Sequence, residues 1–386
     1  MKIGRKQDII RYAISAAAFI GALAVASGCS MFHHQAAVAV MPTVPVAPPA
    51  RTVAVNAYGE FGGVRNVTAP AQAATAFQQH TSAVDGRDDE VAVDPTGKFL
   101  AYSSTRNSVH PDIYLQKVDG VSVVQLTDDP SDDAFPAFSP DGKTIAFSST
   151  RNGNWDIYTM DTDGRHVVQI TSGSAQDLHP SFSPDGSKLA YCSMGSRSDN
   201  WELWVVNLQT GERRMVGYGL FPTWSPDKKG DRIAFQRASQ RGSRWFSLWT
   251  LDLVDGEARH VTEVASAADA ALVSPTWSPD GQKIAYATIR PTVNATGAAA
   301  GEQKEIWSVN VDGTDRRRLT DGIGSNLSPA WAVDNRVYFV SDRSGAQSVW
   351  SVQAESAAPA VAAKPAEKPG VPAGAIGAVD KQEITH

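Results

Sequence analysis

From about residue 76 to residue 352 the apolar positions fall in short alternating runs, each closed by Gly, Pro or Asp. Such alternation over four to eight residues is the signature of strands rather than helices. The stretch Phe135–Thr171 shows the pattern most clearly. It predicts a first strand at Pro136–Ser139, a tight turn at Pro140-Asp141-Gly142 and a second strand at Thr144–Ser149. A third strand follows at Trp155–Met160, then an Asp163-Gly164 hairpin turn and a fourth strand within His166–Thr171.

The same unit recurs. Copies begin at His179 (HPSFSPDG), Phe221 (FPTWSPD), Ser274 (SPTWSPDG) and Ser328 (SPAWAVD), with a degenerate first copy from Asp89. The turn aspartates Asp94, Asp141, Asp185, Asp227, Asp280 and Asp334 are spaced by 47, 44, 42, 53 and 54 residues. A repeat of 40 to 50 residues carrying four short strands is the mark of a propeller, because one such sheet cannot bury its own two faces. The expected fold is therefore all-β, a six-bladed β-propeller over 76–352. The sixth unit lacks a fourth strand, since Gln347–Val352 runs straight into an Ala/Pro-rich tail. Phe77-Gln78-Gln79-His80-Thr81 matches Val124-Gln125-Leu126-Thr127 in both sequence and distance from the following unit. The N-terminal segment is thus expected to supply the missing outer strand and close the ring.

The flanks read differently. Residues 1–28 have a basic start and an apolar run too short to span a bilayer, the shape of an export signal. Ala26-Ser27-Gly28-Cys29 resembles a bacterial lipoprotein box, which implies cleavage before Cys29 and lipidation of its thiol. Ser30 in the next position implies an outer-membrane address facing the periplasm. Residues 29–75 read as an Ala/Pro-rich spacer and 353–386 as a solvated Ala/Pro/Lys tail. The net charge of −6 provides no basic footprint for nucleic acid. Cys192 lies in an alternating run and is expected to be a buried, inert thiol.

WSPDG-type turns, FSSTRNGNWDIY from Phe147 to Tyr158 and MDTDG from Met160 to Gly164 resemble the TolB-type propeller repeat of bacterial envelope proteins. The resemblance implies a protein-binding propeller, and it makes the peptidoglycan-associated lipoprotein a candidate partner. The chain departs from that family in its lipoprotein box and in having only the spacer between Cys29 and the repeats.

Motifs for catalysis are missing. There is no G-x-S-x-G elbow and no H-E-x-x-H, and the eight histidines are scattered. The expected role is a non-enzymatic, monomeric scaffold with no cofactor or metal, binding an envelope protein or peptide. A carbohydrate- or peptidoglycan-binding module is the alternative, with a propeller lyase or hydrolase behind it. Arg106, Arg151 and Arg343 recur after the second strand, and Asp112 and Asp156 follow two of them, so Arg–carboxylate pairs inside the blades are expected. Trp204, Trp249, Trp307 and Trp350 take the repeat position of Tyr158 and are expected to pack between blades. The connections between blades do not repeat. Asp88, Asp89, Asp132, Asp133, Asp177, His179, Phe221 and Asn326 occupy them and form the expected partner-binding rim.

Overall fold

The computed structural model describes residues 77–82, 86–194, 200–227, 231–238, 246–294 and 298–354. Cys29, the export signal, the spacer and the C-terminal tail lie outside the described residues. Six four-stranded antiparallel sheets are arranged as blades, each named here by its order in the chain. In blades 1 to 5 the four strands follow one another from the axis outward. Blade 6 takes Asn326–Trp331, Arg336–Ser341 and Ser348–Gln353 from the end of the chain and Gln78–Gln79 from its beginning. The expected closure is present, with Gln78 opposite Ser351 and Gln79 opposite Trp350.

A threonine marks the equivalence of the closing strand with the outer strands of blades 1, 2 and 5. Thr127, Thr171 and Thr320 each accept a hydrogen bond through the hydroxyl from an amide of the third strand, at Ile113, Ile157 and Ile306. Thr81 accepts the same bond from the Val349 amide at 2.8 Å. His80 adds contacts that the other outer strands lack. Its Nδ1 lies 3.0 Å from the Val118 carbonyl, which can only accept, so that nitrogen carries the proton. Its Nε2 then faces the Ser351 hydroxyl at 2.8 Å, and its ring packs on Tyr338. Burial lowers the pKa of His80, in keeping with this neutral form.

The second strand explains why the blades stack. Its middle residues are buried on both faces, so the simple alternation of a one-sided sheet gives way to a run of apolar and small side chains. One position is aliphatic in every blade: Leu100, Ile145, Leu189, Ile233, Ile284 and Val337. Two residues on stand Tyr102, Phe147, Tyr191, Phe235, Tyr286 and Phe339, all essentially inaccessible. Opposite them across the ladder lie Tyr114, Tyr158, Trp204, Trp249, Trp307 and Trp350. The tryptophans expected to pack between blades therefore do so in one shared register. Between the two positions an alanine occurs in five blades, Ala101, Ala146, Ala190, Ala234 and Ala285; blade 6 has Tyr338, which meets His80. Cys192 is fully buried as expected, and burial holds its thiol well above the ordinary range.

Turns between the first two strands are tied by their aspartates. Ser139, Ser183 and Ser278 donate to Asp141, Asp185 and Asp280 at 2.6 Å, and the backbone amides two residues beyond each aspartate add further bonds.

Candidate functional site

Each inner strand starts at the end of the propeller where the connections from the preceding blade arrive. Within each, the pairing register slips once, between Asp89 and Ala92, Ala134 and Ala137, Leu178 and Ser181, Leu220 and Thr223, Val273 and Thr276, and Leu327 and Ala330. A bulge of this kind leaves one residue outside the ladder and turns the strand. The bulged residues are Glu90, Phe135, His179, Phe221, Ser274 and Ser328, and all six hold a positive φ between 48° and 57°. A left-handed conformation disfavours side chains with a Cβ, so its occurrence at six equivalent places is a designed feature. In five blades the next residue is proline: Pro136, Pro180, Pro222, Pro275 and Pro329. Proline has no amide proton to offer the ladder, and a bulge is one of the few places in a sheet that tolerates it.

The six bulged residues form a ring around a central channel of about 280 Å³ lined by all six inner strands. The ring is lopsided. Phe135, His179 and Phe221 pack as a continuous arc of mutually tilted rings, with centroids 3.8 and 3.6 Å apart. The remainder is polar and mostly small: Ser274, Ser328 and Glu90. Two residues further along each strand the wall is formed by Ala92, Ala137, Ser181, Thr223, Thr276 and Ala330, small side chains that let six backbones approach one axis. Glu90 accepts a hydrogen bond from the Ser103 hydroxyl at 2.6 Å and another from the Phe135 amide. Burial, reinforced by the charge of Asp89, raises its carboxyl well above the carboxylate range.

The expected rim residues divide into three groups. His179 and Phe221 belong to the ring. Asp132 is half-exposed, 2.7 Å from His110 across the first two blades. The remaining five lie inside. Asp88, Asp133, Asp177 and Asn326 are between 0 and 3% exposed, because each is the first or second residue of an inner strand and turns into its own blade. Asp88 accepts from Ser104 at 2.6 Å, Ser341 donates to Asn326 at 2.9 Å, and Ser149 and Ser193 serve Asp133 and Asp177. Asp89, also buried, is bound to Arg87 at 2.8 Å.

These buried carboxylates are also what the recurring arginines hold. Arg106 meets Asp88 at 2.7 Å, and Arg151 meets Asp133 and Asp129 at 2.9 Å. Arg343 meets Asp321 at 3.1 Å and Asn326 at 3.3 Å. The pairs are therefore present, but their acidic partner comes from the inner strand or the connection before it. Asp112 and Asp156 are instead bound by Thr127 and Gln125, and by Thr171 and Gln169. The ring itself had a sequence signal that spacing alone did not bring out. A proline follows a variable residue at one repeat position (FP, HP, FP, SP, SP), and that residue is the one on the channel.

Burial raises the carboxyls of Asp112, Asp133, Asp156 and Asp177, that of Asp112 to about 6. A carboxyl whose pKa rises on folding holds its proton longer in the native state, so each takes stability away as pH climbs from about 4 through about 6. The turn carboxyls of Asp141 and Asp185 are lowered by their serine bonds, and their contribution is lost only as pH falls below about 4. The melting temperature is therefore expected to peak at about pH 4 and to fall by several degrees between about pH 4 and 6. A scanning-fluorimetry series across that range checks this, and a melting temperature that rises steadily from about pH 4 to 6 contradicts it.

A family model described as the Tricorn protease N-terminal beta propeller domain matches residues 161–365, just over half of the chain. A second, the TolB beta propeller domain, matches residues 46–173. TolB from Acinetobacter baumannii is similar at 25% identity, over 64% of this chain and 57% of that one, with a TM-score of 0.49. An oligogalacturonate lyase from Vibrio parahaemolyticus is similar at 15% identity, over 73% and 94% of the two chains, with a TM-score of 0.50. At that identity the likeness to the lyase is one of fold. An uncharacterized protein of Agrobacterium fabrum is 35% identical over 80 residues, 20% of this chain and 24% of that protein. The chain thus spans about a quarter of this curated relative and little more than half of the Acinetobacter TolB.

Proposed function

Since the chain belongs to the family of the Tricorn protease N-terminal β-propeller, and its first repeats match the TolB propeller, we propose that it is a non-enzymatic scaffold of the cell envelope. In this reading the propeller binds a protein or peptide partner at the channel mouth where the inter-blade connections gather. Lipid on Cys29 and the 29–75 spacer hold it at the outer membrane, which raises the local concentration of both partners.

The lopsided ring is the observation that carries this. Six copies of one backbone geometry present six side chains in four kinds, and an asymmetric mouth selects one orientation of an asymmetric partner. The mouth offers aromatic surface on a rigid frame, which favours tight, oriented contact at low cost in entropy. The channel wall carries Glu90 and His179 among otherwise uncharged residues, and no group of three or more His, Cys, Asp or Glu placed to hold a metal occurs among the described residues. A binding role draws on these features more directly than acid–base chemistry does.

Ser274→Phe tests the reading. Phe135 and Phe221 already hold the same φ, so a phenyl ring fits the backbone there and fills the polar half of the mouth. In-cell crosslinking and mass spectrometry are expected to show partners of the wild type, the peptidoglycan-associated lipoprotein being the first to look for, that are lost in Ser274→Phe. The melting temperature should stay within about 3 °C, as for a tolerated change of one side chain. An unchanged set of crosslinked proteins removes the mouth from the mechanism. A Cys29→Ala control separates anchoring from recognition.

A further inference from the structure

The channel also specifies what enters it. Its wall contains no Lys or Arg, and Glu90 is its sole carboxylate. That carboxylate has two donors, Ser103 and the Phe135 amide, whereas a carboxylate accommodates about four hydrogen bonds. Its neighbour in the ring is Phe135, first member of the aromatic arc. An acidic group beside aromatic faces in a partly desolvated site attracts cations, through charge on one side and ring quadrupoles on the other. The hydroxyls of Ser274 and Ser328 add acceptors for N–H groups. At about 280 Å³ the space lies at the lower edge of ligand pockets, which run from roughly 300 to 1,000 Å³. It holds one long side chain, and a folded segment or an oligosaccharide is too large.

We propose that a lysine or arginine side chain of the docked partner inserts into the channel, its cationic head against Glu90 and its apolar stem along Phe135, His179 and Phe221. The inference rests on the mouth being the docking surface. It adds the chemistry of the group recognised there. Burial holds this carboxyl above the carboxylate range despite the charge of Arg87, and a cation seated against it would draw the pKa back down and favour the ionised form.

The test uses the purified chain and the fluorescence of Trp331, which lines the channel. Three probes are titrated: the blocked peptide acetyl-Gly-Gly-Lys-Gly-Gly-amide, the same peptide acetylated on the lysine Nε, and agmatine. The lysine peptide is expected to bind, with affinity at least tenfold above that of the acetylated form. Glu90→Gln keeps a side-chain oxygen for Ser103 and is expected to lose at least tenfold in affinity for the lysine peptide alone. Should that variant unfold, the wild-type comparison of charged and acetylated peptides decides by itself. Equal binding of the two peptides, no binding of the lysine peptide, or undiminished binding to Glu90→Gln overturns the proposal. Tighter binding of agmatine than of the peptide makes a free amine the occupant and overturns the assignment to a partner's side chain. Crosslinking separates the two readings. Partners lost in Ser274→Phe but retained in Glu90→Gln leave the docking mouth standing and sink the cation, whereas partners retained in both sink the mouth.

Discussion

Removing residues 77–82 is expected to lower the melting temperature by about 10 °C or more, the largest single effect the structure implies. The deletion takes away the outer strand of blade 6, the Thr81 bond to the Val349 amide and the His80 contacts with Tyr338, Ser351 and Val118. It also removes Phe77, which lies edge-on to Phe339 and under the Arg343 guanidinium at 3.9 Å. Two apolar or aromatic side chains lost from burial cost about 2 kcal/mol each. The third strand of blade 6 is left with a row of unpaired amides and carbonyls, an edge open to association. Differential scanning calorimetry on the full chain and the deletion checks the loss, and an unchanged melting temperature rules out this strand as the closure. The point variants Phe77→Ala and His80→Ala should each show a part of the same loss.

Arg151→Met should destabilise the domain by about 3 kcal/mol, because it leaves the Asp133 carboxylate buried without its countercharge. Methionine preserves the apolar stem that packs near Phe147 and Tyr158, so the loss is mainly electrostatic. Arg151 contacts both oxygens of Asp133, at 2.9 and 3.2 Å, and bonds Ser149 through Nε at 2.8 Å. Adding Asp133→Leu to Arg151→Met should restore much of the stability, since a buried ion pair replaced by apolar groups of similar size is often neutral. Urea unfolding of the two variants gives the comparison. A single variant as stable as the wild type means that Asp133 is already satisfied by Ser149.

The fold was legible because it is stated several times in the chain. The turn aspartates, the alternating second strands and the QQHT segment before the first unit all point to one ring closed by its own N-terminus, and a local misreading in one unit is corrected by the others. The site was less legible for a physical reason. An acidic residue at the end of a connection looks solvated, yet the strand begins three residues earlier than the alternation shows, so Asp133 and Asp177 become its first buried residues. Their serine partners sit on the neighbouring strand, at a sequence distance that spacing does not connect. Asp132, one residue before Asp133, remains outside. The bulge was concealed in the same way. A proline two to four residues into a strand reads as a break, whereas here, in five of the six inner strands, it follows the bulged residue at the channel mouth.

The closing strand also sets a timetable. Thr81 and Val349 are 268 residues apart in the chain, so the bond between them waits for nearly all of the propeller to be made. At roughly 5–20 residues per second, the N-terminal strand stays without its partner for on the order of tens of seconds. Blades 1 to 5 are built from neighbouring segments and assemble as they emerge, while the final step joins ends of the greatest separation and is slow for that reason. In that interval the molecule is an open arc with two sticky ends. A second arc can supply either end, so crowded synthesis favours exchange of the first strand between copies, and the ring's most stabilising contact is also the one most exposed to error.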